Sequence, residues 1–302
     1  MKFIGLILSS WLFSMSVNAK TINVVIPFNV GGATDQIWRL IQPHLDQELK
    51  KYDLLLEPEY LPGAGGGLGA AAVLRRDRPT LLFTSSSLAL VPVVNNNLQY
   101  DISEFSIIGY VGHLPLVLFV SGSGPSDVNQ LQSLCKKRPI TYGNSGYGSM
   151  TSVAGDFIIR NLGCRPIPVP YKSANQSLFD LIGDGIDITV DHPTANTMVF
   201  SQEMKIRPLV VMCQKRIAVF PTVPCTSEIG LDSPFTNWQV LVANKNLPQS
   251  DLDIISQALK KVLNTDRVKS ALTQIGLDGI NLSIQKQWLI SEQKKFRKLL
   301  VP

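Results

Sequence analysis

The sequence predicts an α/β fold made of two lobes. After residue 19, β-branched and aliphatic runs alternate with stretches of helical periodicity, a pattern typical of parallel-rich sheets flanked by helices. A length of 302 residues is enough for two such lobes. The Ser-Gly-Ser-Gly-Pro segment at 121–125 and the stretch 234–238 are the expected crossings between them. We therefore expect one lobe to comprise 20–121 and 236–302, and the other to comprise 122–235.

Each element of the two lobes is predicted by its own local pattern. Short runs of Val, Ile, Leu and Phe bounded by turn residues predict strands, and apolar residues recurring every three or four positions predict helices. The predicted strands are 22–26, 54–57, 80–84, 106–111, 116–121, 139–142, 166–169, 186–190, 207–212 and 238–243. The predicted helices are 34–50, 67–76, 127–137, 150–162, 174–183, 193–202, 249–263, 267–275 and 285–299.

Residues 1–19 have the pattern of a secretory signal peptide. Lys2 opens the segment, an apolar run follows, and Val17, Asn18 and Ala19 match the small-residue cleavage pattern. The alternative is an uncleaved membrane anchor, but the apolar run is short and interrupted by serines. We therefore expect cleavage after Ala19 and export of the remaining chain from the cytoplasm.

Composition and charge exclude several classes of protein. A hydrophobic content of 45% and a charged content of 17% are typical of a compact globular chain, not of a disordered one. The net charge of +5 is small and dispersed along the sequence. We therefore expect no nucleic-acid partner.

Four cysteines remain in a chain that we expect to be exported. An even number of cysteines in an oxidising compartment indicates up to two disulfides. Cys135 ends one predicted helix and Cys164 follows another, whereas Cys213 and Cys225 lie on either side of a Pro-containing turn. We expect the pairs Cys135–Cys164 and Cys213–Cys225, the alternative being four buried thiols. The sequence has no Cys-x-x-Cys pair, so we expect no metal site.

A strand, a glycine loop and the start of a helix follow one another near the beginning of the exported chain. The apolar run 22–26 ends at Pro27, Gly31 and Gly32 make a turn, and helical periodicity begins at once. Unpaired N–H groups and the positive end of the dipole make such a helix N-terminus attractive to anions. The loop has no Lys and so lacks the cation of a nucleotide-triphosphate P-loop. We expect Gly32 to permit close approach of an anion and a positive φ.

Two further glycine loops also lie between a strand and a helix. The loop at 62–69 contains the Gly-x-Gly-x-x-Ala form of a dinucleotide fingerprint, but it follows the second strand and lacks the downstream acid that would hold a ribose. We therefore expect no cofactor. The loop at 142–149 repeats the first loop in the other lobe. Tight turns would explain any one loop, whereas two in matching positions favour an anion site between the lobes.

Catalysis has little support in the sequence. His44, His113 and His192 lie in unrelated contexts, and Ser145 is not in the Gly-x-Ser-x-Gly motif of a hydrolase nucleophile. A secreted serine hydrolase that uses Ser145 or Ser149 is therefore the weakest hypothesis. We expect the protein not to be an enzyme.

An ordered set of short motifs resembles one family over essentially the whole chain after residue 19. The chain is similar to the periplasmic solute-binding receptors of tripartite tricarboxylate transporters, also called the Bug family. Each motif alone is weak, but their order is specific. The matching segments are 26–35, 62–69, 80–82, 100–101, 142–149, 169–172, 207–209, 221–224, 228–230 and Trp238.

This resemblance implies a two-lobed periplasmic-binding-protein fold, similar to type II, that closes over a small carboxylate. It implies a periplasmic monomer without a cofactor, with integral membrane transporter subunits as partners. Backbone N–H groups and bridging water would hold the carboxylate without an arginine. The implied cleft residues are Phe28, Gly31, Gly32, Ala33, Asp35, Ser85, Ser86, Ser145, Gly148, Ser149, Tyr171 and Asp191.

Three positions near the motifs depart from the family. The family commonly has Asn where Tyr60 stands, His where Ser152 stands and Gly where Ser173 stands. We expect these positions to affect the choice of carboxylate. The alternative to a transport receptor is an orphan or sensory receptor of the same fold that signals to a membrane partner.

Overall fold

The computed structural model describes residues 20–279 and 286–300, and the predicted signal peptide lies outside them. Their strands and helices alternate as the sequence predicts. The strands are β1 (Lys20–Ile26), β2 (Leu54–Tyr60), β3 (Thr80–Ser85), β4 (Ser106–Leu114), β5 (Leu116–Ser121), β6 (Ile140–Asn144), β7 (Pro166–Pro170), β8 (Ile188–Asp191), β9 (Ile206–Met212) and β10 (Asn237–Ala243). The helices are α1 (Ala33–Leu49), α2 (Gly67–Leu74), α3 (Ser87–Val94), α4 (Val128–Cys135), α5 (Met150–Asn161), α6 (Ala174–Ile182), α7 (Ala195–Gln202), α8 (Gln249–Leu263), α9 (Asp266–Gln274) and α10 (Lys286–Leu300).

The strands form two five-stranded sheets of matching topology. The first sheet has the order β2-β1-β3-β10-β4 and the second has the order β7-β6-β8-β5-β9. In each sheet one strand, β1 or β6, runs parallel to both of its neighbours. The strand that arrives from the other sheet, β10 or β5, runs antiparallel to both of its neighbours. Each sheet is therefore parallel-rich but mixed, because the strand that returns from the other sheet runs opposite to the other four.

The first crossing between the sheets lies earlier than the sequence suggests. β5 pairs with β8 and β9, so the chain leaves the first sheet at Pro115 and not at 121–125. The Gly-Ser segment is instead a turn at the end of β5, where the Gly124 N–H donates to the Ser121 carbonyl at 3.0 Å. The chain returns in the segment between β9 and β10, which contains the expected crossing. The division into two lobes stays a prediction.

Alternate side chains of each strand enter different layers of the core. In β1, Val24 and Ile26 pack with apolar residues of α1, α8 and α9, whereas Val25 packs with α2, α3 and α10. In β5, Leu118 faces the layer of α4 and α5, whereas Phe119 faces the layer of α6. Both faces of each sheet are thus covered by helices, which confirms the predicted α/β class.

Both expected disulfides are present. Cys135 at the end of α4 is bonded to Cys164, which follows α5. Cys213 at the end of β9 is bonded to Cys225 in the segment that returns to the first sheet. Among the described helices, no candidate for a membrane span is found.

Candidate functional site

A cavity of about 340 Å³ lies where loops of the two sheets meet. The first sheet contributes the loops after β1, β2 and β3 and the start of β10. The second sheet contributes the loops after β6, β7 and β8. Most of these loops lie at the carboxyl ends of strands, which is where open α/β sheets bind ligands.

The loop after β1 presents the N-terminus of α1 to the cavity. Gly31 adopts a positive φ of 84°, whereas Gly32 precedes the helix with an ordinary φ of −73° and no side-chain cap. The positive φ that we expected at Gly32 therefore belongs to its neighbour. Among the described residues, nothing accepts the N–H groups of Ala33 and Thr34, and both residues line the cavity. These two donors are free for an anion.

Asp35 supports this loop from behind and does not line the cavity. Its carboxylate is fully buried and accepts the Gly31 N–H at 2.7 Å, the Arg39 Nε–H at 2.9 Å and the Tyr60 hydroxyl at 2.6 Å. Burial and the hydrogen bond to Asp35 raise the pKa of Tyr60. Tyr60, one of the positions that depart from the family, thus acts on the loop through Asp35.

The loop after β6 presents the N-terminus of α5 from the opposite side. Ser149 caps the helix by accepting the Ser152 N–H at 3.2 Å, and the Thr151 hydroxyl accepts the Ser145 N–H at 3.0 Å. Within the described part of the chain, the N–H groups of Met150 and Thr151 have no acceptor. Since Ser145, Ser149, Met150 and Thr151 all line the cavity, this loop is the counterpart of the loop after β1.

The loop between β7 and α6 forms a third wall with a helix start. Ser173 caps α6 by accepting the Gln176 N–H at 3.4 Å and also lines the cavity. Tyr171 lines the cavity as well, and burial together with its hydrogen bond to Asp180 raises the pKa of Tyr171 to about 12. Lys172 is exposed at the rim. It is positioned to attract an anion without being enclosed with it.

A hydrogen-bonded chain at the deep end joins the two crossings between the sheets. His192 Nδ1 lies 2.9 Å from the Pro115 carbonyl oxygen, and its Nε2 lies 2.8 Å from the Asn237 amide nitrogen. The Ser86 hydroxyl in turn donates to Asn237 Oδ1 at 2.7 Å. Burial lowers the pKa of His192 to about 4, so the ring is neutral. Because both ring nitrogens are engaged, His192 is not arranged as a base for Ser145 or Ser149.

The two sides of the cavity also touch each other directly. The Gln36 side chain accepts the Ala195 N–H at 3.1 Å, and the Tyr147 hydroxyl donates to the Val94 carbonyl at 3.3 Å. The Asn29 side chain donates to the carbonyl of Lys172. These bonds join loops of opposite sheets, so the cleft is closed.

Gly65 lies where backbones of the two sheets come close together. A Cβ placed on it would lie 2.8 Å from the carbonyl carbon of Gly148 and 2.8 Å from the nitrogen of Ser149. Its φ is +63°, a conformation that favours glycine. The loop after β2 is thus shaped to let two backbones meet.

The structure brings most of the predicted cleft residues together. Eight of them line the cavity: Phe28, Gly32, Ala33, Ser85, Ser145, Ser149, Tyr171 and Asp191. Four lie behind the lining, where they position loops or bond to Asn237: Gly31, Asp35, Ser86 and Gly148. The sequence reasoning missed five further polar residues that line the cavity, at the start of β10 or at the starts of loops and helices. They are Asn29, Thr34, Ser87, Thr151 and Asn237. Ligand contact by any of them stays a prediction. Within the described residues, no cluster of His, Cys, Asp and Glu could hold a metal ion.

Comparison with known proteins agrees with this architecture. A UPF0065 protein from the TAR-I ttuE-ttuC' intergenic region of Agrobacterium vitis is 28% identical over 288 residues, which is 91% of this chain and 82% of the relative. The periplasmic binding protein BugD superposes with a TM-score of 0.85 at 23% identity, over 92% of this chain and 96% of BugD. MatC from Rhodopseudomonas palustris, solved with bound malate, superposes with a TM-score of 0.81 at 24% identity, over 92% of this chain and 98% of MatC.

The family itself follows from a match that covers most of the chain. The model of the tripartite tricarboxylate transporter family receptor, TctC, matches residues 39–301. The family is one of transporter receptors, and the fold is the one that BugD adopts. The chain therefore belongs to the TctC family of tripartite tricarboxylate transporter receptors.

Proposed function

We propose that this protein is an extracytoplasmic receptor that encloses a small carboxylate between its two sheets. The observation that carries the proposal is the pair of opposed helix starts, α1 and α5, whose free N–H groups border one cavity. A carboxylate oxygen accepts such hydrogen bonds well, because charge-assisted bonds are about twice as strong as neutral ones. The α6 start and the serine hydroxyls of the lining add further donors.

The size of the cavity and the kind of donors favour a small acid over a nucleotide. A volume of about 340 Å³ lies at the lower end of the range for small-molecule pockets, roughly 300–1,000 Å³. Lys172 is exposed at the rim, and neutral donors form the rest of the anion-binding surface. MatC, which shares the fold, binds malate, and this supports a carboxylate of similar size here.

We further propose that the receptor is exported and delivers its ligand to membrane transporter subunits. The pattern of residues 1–19 supports export, and membership of a transporter receptor family supports delivery. A cell that lacks this receptor should take up the radiolabelled acid more slowly, and wild-type receptor should restore uptake. Unchanged uptake together with a lost transcriptional response to the acid would instead support the sensory alternative.

A thermal-shift screen of mono-, di- and tricarboxylates tests ligand capture. An acid at about 100 times its dissociation constant should add roughly 2.7 kcal/mol to the free energy of unfolding. Matched amides of the same acids are the control, since they keep the shape and lose the charge. The proposal fails if no acid raises the melting temperature at saturating concentration. Ester hydrolysis that disappears in Ser145→Ala would support the hydrolase hypothesis instead.

A further inference from the structure

One acidic side chain lies in the wall of a cavity whose other features favour anions. Asp191 ends β8 and lines the cavity beside His192. Its Oδ1 accepts the His192 N–H at 2.8 Å, whereas its Oδ2 has no partner and the residue is 2% exposed. A buried carboxylate oxygen without a donor is costly. The group therefore carries a proton or meets a donor from the ligand.

The neighbouring elements supply no cation to balance this carboxylate. Of the strands that pair with β8, β5 has no titratable side chain and β6 has only Tyr142, whose pKa burial raises to about 12. The helices that pack on β8, α5 and α6, carry Asp156, which is paired with Arg160, and Asp180, which accepts the Tyr171 hydroxyl. His192 is buried and neutral, and Tyr171, on the loop before α6, keeps its proton. The remaining charged groups around the cavity are Lys172, which is exposed at the rim, and Asp35, which is paired with Arg39.

A bound carboxylate would sharpen this imbalance. Two negative groups enclosed together without a cation repel each other, and this favours protonation of one of them. Burial alone raises the pKa of Asp191 to about 7. Asp191 is therefore the group that is nearest to protonation at neutral pH.

We propose that Asp191 holds a proton in the liganded receptor and donates its Oδ2–H to the bound carboxylate or to a water that bridges to it. The inference rests on the proposed function, because it assumes that the ligand is an anion. Its consequence is that the receptor takes up one proton with each acid. Asp191 then discriminates against ligands whose only group facing it is a hydrogen-bond donor.

Calorimetric titration with malate, or with the tightest acid of the thermal-shift screen, tests the inference. Above about pH 7 the affinity should fall roughly tenfold for each pH unit, as linkage to one proton requires. In buffers of different ionisation enthalpy at about pH 8, close to one proton should enter with each malate. In Asp191→Asn the ratio of the affinities at about pH 6.5 and 9 should fall to about one. The matched control Asp253→Asn, an exposed acid on α8, should keep the wild-type ratio.

The possible outcomes separate this inference from the proposed function. A wild-type affinity that does not change with pH overturns the inference and leaves carboxylate capture intact. A pH dependence that survives in Asp191→Asn also overturns it, and so does complete loss of binding, because the amide still offers an N–H donor. If no acid binds, the proposed function fails. Infrared spectra of the protein without added acid then show whether Asp191 is protonated. A carboxylic-acid carbonyl band that Asp191→Asn lacks supports a protonated Asp191, whereas identical spectra overturn it.

Discussion

At the scale of single residues, the glycines of the cleft have separate structural tasks. Gly31 needs its positive φ to turn the chain into α1, Gly32 leaves the helix start uncapped, and Gly65 allows backbones of the two sheets to touch. The sequence shows the glycines but not which task each performs. That depends on the atoms that the opposite sheet brings near, such as those of Gly148 and Ser149 beside Gly65.

Gly65→Ala should weaken ligand binding by more than its effect on stability suggests. A residue with a Cβ at positive φ costs about 1–2 kcal/mol, and the new Cβ would also collide with the backbone of Gly148 when the cleft closes. Gly163→Ala is the matched control, since Gly163 has a φ of +81° and nothing within 4 Å of its added Cβ. Both variants should lose similar stability in denaturant titrations. Only Gly65→Ala should lose affinity, by at least tenfold, and equal affinities would contradict the closure.

Asp35 should contribute more to stability than the cation that it binds. Asp35→Ala leaves the Gly31 N–H and the Tyr60 hydroxyl without an acceptor, and we expect a loss of about 2–3 kcal/mol. Tyr60→Phe should cost about 1 kcal/mol. Arg39→Ala should cost the least of the three, because exposed ion pairs contribute little and 58% of this side chain is exposed. Urea titrations of the three variants measure their losses in free energy of unfolding. A loss in Arg39→Ala equal to that in Asp35→Ala would contradict the expected order.

Asp191 should make the stability of the empty protein depend on pH. Burial raises the pKa of Asp191 to about 7, above the value near 3.9 of an unfolded chain. The native state therefore binds the proton more tightly, and this contribution to stability is complete below about pH 4 and lost as the pH rises through about 7. Asp191→Asn should thus gain stability relative to wild type between about pH 5 and pH 8. The melting temperatures of wild type and Asp191→Asn at the two pH values measure this gain. A difference between the two proteins that is the same at both pH values would contradict it.

At the scale of elements, local patterns predict most strands and helices but not α3. Every predicted strand and helix has a counterpart in the structure, and α1 runs through Pro43 without interruption. The local patterns missed α3 because the run from Ser87 to Val94 is apolar on all sides and contains Pro92. Such a run shows no alternation of polar and apolar residues with helical periodicity. It is a buried helix, and α10 packs over it. A helix that is covered by another helix on its outer side, as α3 is by α10, can be recognised only from the structure.

The two disulfides should stabilise their elements to different degrees. Cys135–Cys164 closes a separation of 29 residues and Cys213–Cys225 closes one of 12. Loop-closure entropy gives about 3 kcal/mol for each bond, and slightly more for the longer loop. Replacing each pair with Ala and measuring the free energy of unfolding by guanidinium titration checks these values. A loss below about 1 kcal/mol for either pair would contradict the loop-closure account. Thiol titration of the unfolded wild type should find no free cysteine, which is the control.

At the scale of the whole molecule, the sequence predicts the cleft better than it predicts the crossings. The repeated strand–loop–helix pattern indicates two opposed helix starts, and the structure brings α1 and α5 to one cavity. The Gly-Ser turn after β5 has the composition of a linker, although β5 already belongs to the second sheet. Pro115 and the bonded chain of His192, Asn237 and Ser86 mark the crossings instead. No local signal marks the first crossing at Pro115, whereas the return to the first sheet ends at Asn237, within the expected stretch 234–238.

The central claim is that helix starts from both sheets hold one carboxylate, and a crystal structure with the tightest acid of the screen tests it most directly. We predict a carboxylate within about 3 Å of an N–H group of Ala33 or Thr34, directly or through one water, and equally close to Met150 or Thr151. The cross-sheet bond from Ala195 to Gln36 should persist. An acid bound outside this cavity, or held by the N–H groups of one sheet alone, would contradict the claim.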